Sequence, residues 1–242
     1  MQRYFGAVKQ GQVSLCEDDI FHLTRVMRAK PGTEIEVVAD GKVLLCKTTC
    51  FNPLKIEIVR EIEETSELPN KIILLASLVK GEKMDLVLQK ATELGVDEIV
   101  LVETSRTVVK IKNEEKAAKL ERFNKILKEA AEQSRRCKIP TLDHIIKYEG
   151  IKEIEADVKM IAYEGEEGSS SSFRKQVEAI KPKQSVAILI GPEGGFDQKE
   201  VNYALDLGYN KISLGRRILR AETAAFYALS VIGNYLERKW LN

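Results

Sequence analysis

The sequence has few residues with which to bind a metal ion. It has two histidines and four cysteines, and no two cysteines are spaced as CxxC. Zinc sites usually need such closely spaced ligands. We therefore expect no metal site. The four cysteines are expected to be reduced thiols, as is usual in the cytoplasm: Cys16, Cys46, Cys50 and Cys137.

The sequence also lacks the patterns of a membrane span and of a secretion signal. No apolar run approaches the ~20 residues that a spanning helix needs. The start, Met1 to Gly6, has neither the basic head nor the apolar stretch of a signal peptide. The expected location is the cytoplasm, without contact with a membrane.

A strong excess of positive charge is missing as well, since the net charge is +1. That value argues weakly against a nucleic-acid partner, because phosphate binding usually needs a basic surface. The distribution of charge is more informative. Residues 105–138 hold 11 basic and 5 acidic residues, a net charge of +6, whereas residues 149–178 hold 4 and 8, a net charge of −4. The basic segment is compatible with RNA binding and also with an ordinary solvated helix.

The first 68 residues have the composition of a small β domain. Two alternating segments, residues 33–39 and 42–47, flank Asp40-Gly41, a pair that favours a type I′ hairpin because both residues must adopt positive φ. Residues 54–59 predict a further strand. An acidic segment with Ser66, Pro69 and Asn70 then predicts a linker. We expect one domain at 1–68 and a second at 71–242.

From Lys71 onward, predicted strands alternate with predicted helices. Residues 72–79 form a continuous apolar run, typical of a strand buried on both faces. Apolar residues at helical spacing follow, and Gly95 is placed to end that helix. The alternation continues to the last helix, residues 221–239. This order predicts an α/β domain with a parallel sheet covered by helices.

Two glycine-bearing turns follow the last two predicted strands, residues 190–196 and 214–224. In open parallel sheets, ligands bind beyond the carboxyl ends of the strands, so both turns are candidates for a ligand site. A nucleotide phosphate is a poor fit. The turns match neither GxGxxG nor GxxxxGK, Pro192 has no amide to donate, and Glu193 would repel phosphate. Ordinary strand-to-helix turns are the simple alternative.

The residues of these turns resemble a family signature. Gly191-Pro192-Glu193-Gly194-Gly195-Phe196 and Leu214-Gly215-x-Arg217-Ile218-Leu219-Arg220-x-Glu222-Thr223-Ala224 are similar to the paired motifs of the RsmE family, the 16S ribosomal RNA uridine-N3 methyltransferases of the SPOUT superfamily. Shorter matches extend along nearly the whole chain: His22-Leu23-x-Arg25-Val26-Met27-Arg28, Lys80-Gly81, residues 90–96, Ser105-Arg106 and Glu132-Gln133-x-x-Arg136.

The resemblance implies a PUA-like β-barrel followed by a SPOUT-type parallel sheet with a C-terminal trefoil knot. It also implies a homodimer that acts on 16S ribosomal RNA, in the decoding-centre region of the small subunit. S-adenosylmethionine would bind in the knot, held by backbone groups of the two turns and by the start of the last helix. The residues concerned are Ile190, Gly191, Gly195, Leu214, Gly215, Ile218, Leu219, Thr223 and Ala224.

Methylation of uridine N3 requires loss of a weakly acidic proton. An arginine near the base would stabilise the developing anion, and Arg220 and Arg136 are the candidates. A carboxylate with a raised pKa could accept the proton, and Glu222 and Glu132 are the candidates. Ion pairing between Arg220 and Glu222, or a solvated position for Glu132, would be the structural alternatives.

Several basic residues are candidates for contact with RNA phosphates. Arg25 and Arg28 lie one turn apart if their segment is helical, and His22 is near them in sequence. The full set is His22, Arg25, Arg28, Lys80, Arg106, Arg135 and Lys138. Two other functions remain open: a catalytically silent RNA-binding ribosome-assembly factor, and a nucleotide-dependent enzyme on an ordinary doubly wound sheet.

Overall fold

The chain divides into two units in the computed structural model, which describes residues 1–63, 65–163 and 171–240. The N-terminal unit consists of Met1–Glu67 and Lys128–Ile139. The C-terminal unit consists of Leu68–Leu127 and Pro140–Asn242. Most of each unit is one continuous stretch, but the N-terminal unit also takes the end of a long helix that begins in the other unit.

Five strands form the sheet of the N-terminal unit: β1 (Arg3–Lys9), β2 (Gln12–Leu15), β3 (Glu34–Ala39), β4 (Lys42–Phe51) and β5 (Leu54–Ile62). Their order is β2-β1-β3-β4-β5. The β1–β3 pair is parallel, and the other neighbouring pairs are antiparallel. β2 also packs against β5, so the sheet curls and its two edges approach each other as in a half-barrel.

The hairpin predicted at Asp40-Gly41 is confirmed. β3 and β4 pair in antiparallel register up to Ala39 and Lys42. Asp40 and Gly41 adopt φ values of 49° and 75°, the positive values that a type I′ turn requires. The turn therefore sets the register that directs Ile35 and Val37 into the core.

A short helical segment connects β2 to β3. It consists of α1 (Glu17–Phe21) and a π-helical turn, His22–Val26. Leu23 is buried and packs in the core with Tyr4 and Val37. One side chain of this segment therefore anchors it to the sheet.

The C-terminal unit contains a six-stranded sheet of β6 (Ile72–Ser77), β7 (Glu98–Glu103), β8 (Ile145–Lys147), β9 (Val158–Ala162), β10 (Val186–Ile190) and β11 (Asn210–Ile212). Its order is β11-β9-β10-β6-β7-β8, and all neighbouring pairs are parallel. The predicted α/β architecture with a parallel sheet is confirmed. Because the strands are parallel, all their carboxyl ends lie at one edge of the sheet.

Helices cover both faces of this sheet, since β6 and β10 are buried at every position. α6 packs against α2, β6 and β10, whereas α5 packs in a cluster with Ile73, Leu75 and Leu189. The predicted end of α2 at Gly95 is also confirmed by its φ of 88°. The helices are α2 (Glu82–Glu93), α3 (Asn113–Gln133), α4 (Ser171–Glu178), α5 (Gln198–Asp206) and α6 (Ala221–Trp240), with a 3₁₀ turn at Tyr148–Glu153.

In the part of the chain that the structure describes, no helix combines the length and the apolar character needed to cross a bilayer.

A capping box fixes the start of α5, directly after the first glycine turn. The Asp197 carboxylate accepts a hydrogen bond from the Glu200 amide at 2.8 Å, and the Glu200 carboxylate accepts one from the Asp197 amide at 2.9 Å. α5 therefore begins at Gln198, with Asp197 as its N-cap residue. The hydrogen bond from the Glu200 amide lowers the pKa of the Asp197 carboxyl.

We expect Asp197→Ala to lower the free energy of unfolding by about 0.5–2 kcal/mol at pH 7, because the Glu200 amide loses its acceptor. Asp197→Asn keeps an acceptor and should lose less. The carboxylate stabilises the fold above its unfolded pKa of about 3.9, and that contribution is lost as the pH falls through the lowered folded value. Urea denaturation at pH 7 and at acid pH checks this. A constant difference between the wild type and Asp197→Asn down to pH 3 would contradict it.

Candidate active site

The two glycine turns lie at the same edge of the parallel sheet. The first follows β10 and the second follows β11, with β9 between these strands. The loops after β6 and β7 emerge at this edge too. The sheet topology thus gathers four loops where ligands bind in open α/β sheets.

The first turn is held closely to the sheet. Ser77 at the end of β6 donates a hydrogen bond to the Ile190 carbonyl at 2.9 Å. A Cβ atom at Gly191 would lie 3.1 Å from the Phe196 ring, so a side chain there would force the ring to move. Gly195 has a φ of +65° and donates to the Pro192 carbonyl at 2.9 Å. This turn therefore depends on glycine at both positions.

The second turn is more open. Gly215 has a φ of +119°, and no heavy atom of a described residue, its chain neighbours aside, lies within 4 Å of the position that a Cβ would take. Leu214 and Leu219 are half-buried, whereas Ile218 is 85% exposed. Thr223 is exposed and Ala224 is buried in the first turn of α6. A ligand can reach the backbone here without displacing a side chain.

Lys83 links the first turn to the start of α6. Its ammonium group lies 3.2 Å from a Glu193 carboxylate oxygen and 3.8 Å from Oε1 of Glu222. Glu222 is buried, and its Oε2 atom has no hydrogen-bond partner among the residues described. A buried carboxylate oxygen without a donor is costly, so this oxygen is a candidate to accept a hydrogen bond from a ligand.

Arg220 is exposed at the residue before α6, and the Ala224 amide donates to its carbonyl at 2.8 Å. Within the described ranges, its guanidinium forms no ion pair. The structural alternative of an Arg220–Glu222 ion pair is therefore wrong. The Arg220 guanidinium is free to contact a ligand or RNA.

The loop after β7 is tied to the first turn. Arg106 donates to the Gly194 carbonyl at 2.9 Å, and the Ser105 amide donates to Glu200 at 2.7 Å. Arg106 and Lys80 are both exposed in this unit. Arg106 therefore stabilises the first turn, in addition to the RNA contact that the sequence predicts for it.

The other two predicted catalytic residues, Arg136 and Glu132, belong to the N-terminal unit. Arg136 is 2% exposed and pairs with Glu67 at 2.5 Å. Glu132 is buried and lies 2.8 Å from the Lys128 ammonium group. Burial raises the pKa of the Glu132 carboxyl, and the hydrogen bond from Lys128 opposes part of that rise. The alternative of a solvated position for Glu132 is therefore wrong.

The remaining predicted RNA-binding residues also lie in the N-terminal unit. Arg135 pairs with Glu36 at 2.5 Å, and Lys138 lies 3.8 Å from Glu67. His22 Nδ1 lies 2.9 Å from the Tyr4 hydroxyl, and this pair fixes the orientation of the imidazole. Arg25 and Arg28 are exposed.

Comparison with known proteins gives a family for this chain. The family model of an RNA methyltransferase domain matches residues 66–233, well over half of the sequence. This chain belongs to the RNA methyltransferase family. The match includes both glycine turns and all of α2.

Individual relatives match over nearly their whole length. "Ribosomal RNA small subunit methyltransferase E" from Bacillus subtilis is 33% identical, with 98% of each chain covered. The protein of the same name from Mesomycoplasma hyopneumoniae is 34% identical over 95% of this chain and 98% of the relative. The crystal structure of the Neisseria gonorrhoeae protein of that name, bound to S-adenosyl methionine, is 29% identical with a TM-score of 0.84, covering 99% and 98% of the two chains.

Sequence reasoning missed Lys83 in this methyltransferase. The available signal was its position, because Lys83 lies in the first turn of the helix after β6, at the carboxyl edge of the sheet. Its partners are 110 and 139 residues further along the chain, so the residue pattern alone does not reveal them.

We expect Lys83→Met to lower the free energy of unfolding by roughly 1–2 kcal/mol, because Glu222 is left buried without a cation. Adding Glu222→Gln should recover part of that loss. Lys90→Met is the matched control, since Lys90 pairs on the surface of the same helix with Glu93 and should cost at most ~0.5 kcal/mol. Equal losses for Lys83→Met and Lys90→Met in urea denaturation would contradict this role.

Proposed function

We propose that this chain transfers a methyl group from S-adenosylmethionine to N3 of one uridine in 16S ribosomal RNA, in the decoding-centre region of the small subunit. The names of the Bacillus and Mesomycoplasma relatives support small-subunit ribosomal RNA as the substrate. The ligand of the Neisseria structure supports S-adenosylmethionine as the methyl donor. The observation that carries the proposal is that both glycine turns lie at one edge of the sheet. Lys83 contacts Glu193 of the first turn and also the buried Glu222, which follows the second turn.

The residues of the two turns fit a nucleoside that carries no phosphate. Pro192 has no amide to donate and Glu193 is negative, and neither feature opposes a ligand that lacks phosphate. The open space at Gly215 allows close approach to the backbone.

The residues that would hold S-adenosylmethionine lie in the two turns and at the start of α6. When bound, this cofactor supplies a methyl group on a positively charged sulfur. Backbone groups would bind the adenine and ribose, and the half-buried Leu214 and Leu219 would exclude water. The set remains Ile190, Gly191, Gly195, Leu214, Gly215, Ile218, Leu219, Thr223 and Ala224.

Charged side chains would remove the N3 proton of the uridine and stabilise the anion that forms. Arg220, exposed and without an ion pair among the described residues, would stabilise the negative charge that develops as the N3 proton leaves. Glu222 would accept that proton, because one of its oxygens is buried and no described residue donates to it. The raised pKa of the Glu132 carboxyl supports Glu132 as the second candidate acceptor. Arg136, the second candidate cation, is buried and paired with Glu67, so it would have to leave that pair to contact the base.

We also propose that the C-terminal unit contains a trefoil knot. β11 lies at the far side of β9, whereas α6 packs against β10, β6 and α2. Residues 213–220 must therefore cross the carboxyl edge of the sheet to reach the start of α6. Such a crossing supports a threaded chain, a connection that ordinary folds almost never contain.

The N-terminal unit is proposed to be a PUA-like domain that binds RNA. Its curled five-stranded sheet with one parallel pair supports a barrel-like domain. By sequence we propose domains at 1–68 and 71–242, and the end of α3 and the residues after it, Lys128–Ile139, group with the N-terminal unit instead of the second domain.

We propose a homodimer because large apolar side chains are exposed at the second turn and on α6. Ile218 is 85% exposed and Tyr227 is 41% exposed, and both belong to the C-terminal unit. A partner subunit that covers them would also enclose the candidate site. The cytoplasm, where the ribosomal substrate would be met, is the proposed location.

The test is to incubate the protein with S-adenosylmethionine and small ribosomal subunits from cells that lack it, and to analyse the digested RNA by mass spectrometry. We expect new 3-methyluridine. A different methylated nucleoside would overturn the position of methylation. Tight RNA binding without methylation, and without binding of S-adenosylmethionine in calorimetry, would instead favour a silent assembly factor.

Arg220→Ala should reduce methyl transfer by at least about 100-fold, because the developing anion loses its cation. Thermal unfolding should be unchanged, since the guanidinium is exposed. Arg216→Ala is the matched control, because Arg216 is an exposed arginine of the same turn that falls at a variable position of the signature. Retained turnover in Arg220→Ala would remove Arg220 from the mechanism.

A further inference from the structure

Three large apolar side chains are exposed on the segment that connects β2 to β3. Phe21, Val26 and Met27 are 62%, 59% and 51% exposed. They lie close together in sequence: Phe21 ends α1, Val26 ends the π-helical turn, and Met27 follows directly after it. Exposed apolar side chains that cluster in this way often mark an interaction surface. We call Phe21, Arg25, Val26, Met27 and Arg28 the connector ridge.

The connector ridge is held in place from its other side. The Met27 amide donates to the His22 carbonyl at 2.8 Å, which closes the π-helical turn. Thr24 Oγ1 donates to the Ile20 carbonyl at 2.7 Å, and Leu23 packs in the core. Short π-helical segments occur frequently at functional sites. The exposed side chains are thus presented from a fixed backbone.

The charged side chains of the ridge itself are all basic, and the acidic residues of α1, Glu17 to Asp19, lie in the helical turn before it. From residue 20 to residue 33 the sequence holds three basic residues, Arg25, Arg28 and Lys30, and no acidic residue. All three are exposed, and none forms an ion pair with a described residue. The other arginines predicted in this unit differ, because Arg135 and Arg136 pair with Glu36 and Glu67. The ridge therefore carries positive charge that the fold itself leaves unneutralised.

An aromatic ring beside unpaired cations fits one class of partner. We propose that the connector ridge binds an unpaired stretch of RNA, with a nucleobase stacked on Phe21 and phosphates contacted by Arg25 and Arg28. Stacking needs a base whose face is accessible, which a duplex does not offer, and the arginines need an anion. This inference rests on the proposed function and adds to it that the substrate presents single-stranded nucleotides to the N-terminal unit.

The first experiment places a fluorescent reporter on the ridge. Trp240 is the one tryptophan in the sequence, so Phe21→Trp in a Trp240→Phe background leaves a single indole, at position 21. A 12-nucleotide single-stranded RNA should quench this fluorescence by stacking. The same RNA as a duplex, and heparin at equal charge, should quench it little. Equal quenching by all three probes, or none by the single strand, would overturn stacking at this position.

The second experiment measures affinity for the same single-stranded RNA. Phe21→Ala should raise its Kd roughly 5- to 150-fold, the range measured when a stacking aromatic is removed. Val59→Ala is the control, because Val59 is an exposed apolar residue of β5 in the same unit, and its Kd should stay within about twofold of the wild type. Equal effects of the two variants would overturn the assignment.

The third experiment tests the arginine contacts by measuring how the affinity for RNA depends on salt concentration. Arg25→Gln should lower the slope of log Kd against log salt concentration by about 0.7, the value for one lost phosphate contact on a single strand. Arg60→Gln, another exposed arginine of this unit, should leave the slope unchanged. An unchanged slope for Arg25→Gln would refute the phosphate contact.

Methyl transfer by the wild type separates this inference from the proposed function. If the wild type methylates small-subunit RNA while Phe21→Ala keeps its affinity and turnover, the ridge is not the RNA surface and the proposed function stands. If the wild type methylates nothing but the indole at position 21 is quenched by single-stranded RNA alone, the ridge stands and the proposed function fails. Dissociation of a wild-type dimer by Phe21→Ala would assign the ridge to a second copy of this chain and overturn the inference.

Discussion

The parallel pairing of all six strands in the C-terminal unit is the constraint on which its candidate site depends. Parallel strands direct their carboxyl ends to one edge, so loops separated by more than a hundred residues meet there. Pairing of β10 with β6 brings the first glycine turn beside Ser77 and within reach of Lys83. An antiparallel strand in place of β10 would put this turn at the opposite edge.

Both units contain buried charged side chains. In the N-terminal unit, Arg136 is satisfied by Glu67, and Glu36 receives hydrogen bonds from Arg3 and Arg135. Such pairs roughly balance the cost of removing both charges from water, and they make the loss of one partner expensive. In the C-terminal unit, Glu222 keeps one oxygen without a donor among the residues described. Buried atoms without a hydrogen-bond partner also occur in the N-terminal unit, at Arg3 and Asp19, so the Glu222 oxygen is distinguished by its place beside the glycine turns.

Local features of the fold were predictable because neighbouring residues decide them. Asp40-Gly41 specifies a type I′ turn through its backbone preferences, and Gly95 ends α2 for the same reason. Other features depend on distant partners. β8 has three residues, too few for a periodic pattern, and β1 pairs in parallel with β3 across an intervening strand and helix. Such pairings are decided by the packing of the whole sheet.

The sequence by itself determined the family, the two glycine turns and the alternation of strands and helices, since these depend on residue identity and short-range spacing. Only the tertiary structure decided what each charged side chain contacts. It separated Arg136, buried against Glu67, from Arg220, exposed at the start of α6, although both are arginines of the family signature. It also revealed Lys83 between Glu193 and Glu222. The physical reason is that burial and ion pairing are set by residues distant in sequence, which local pattern does not encode.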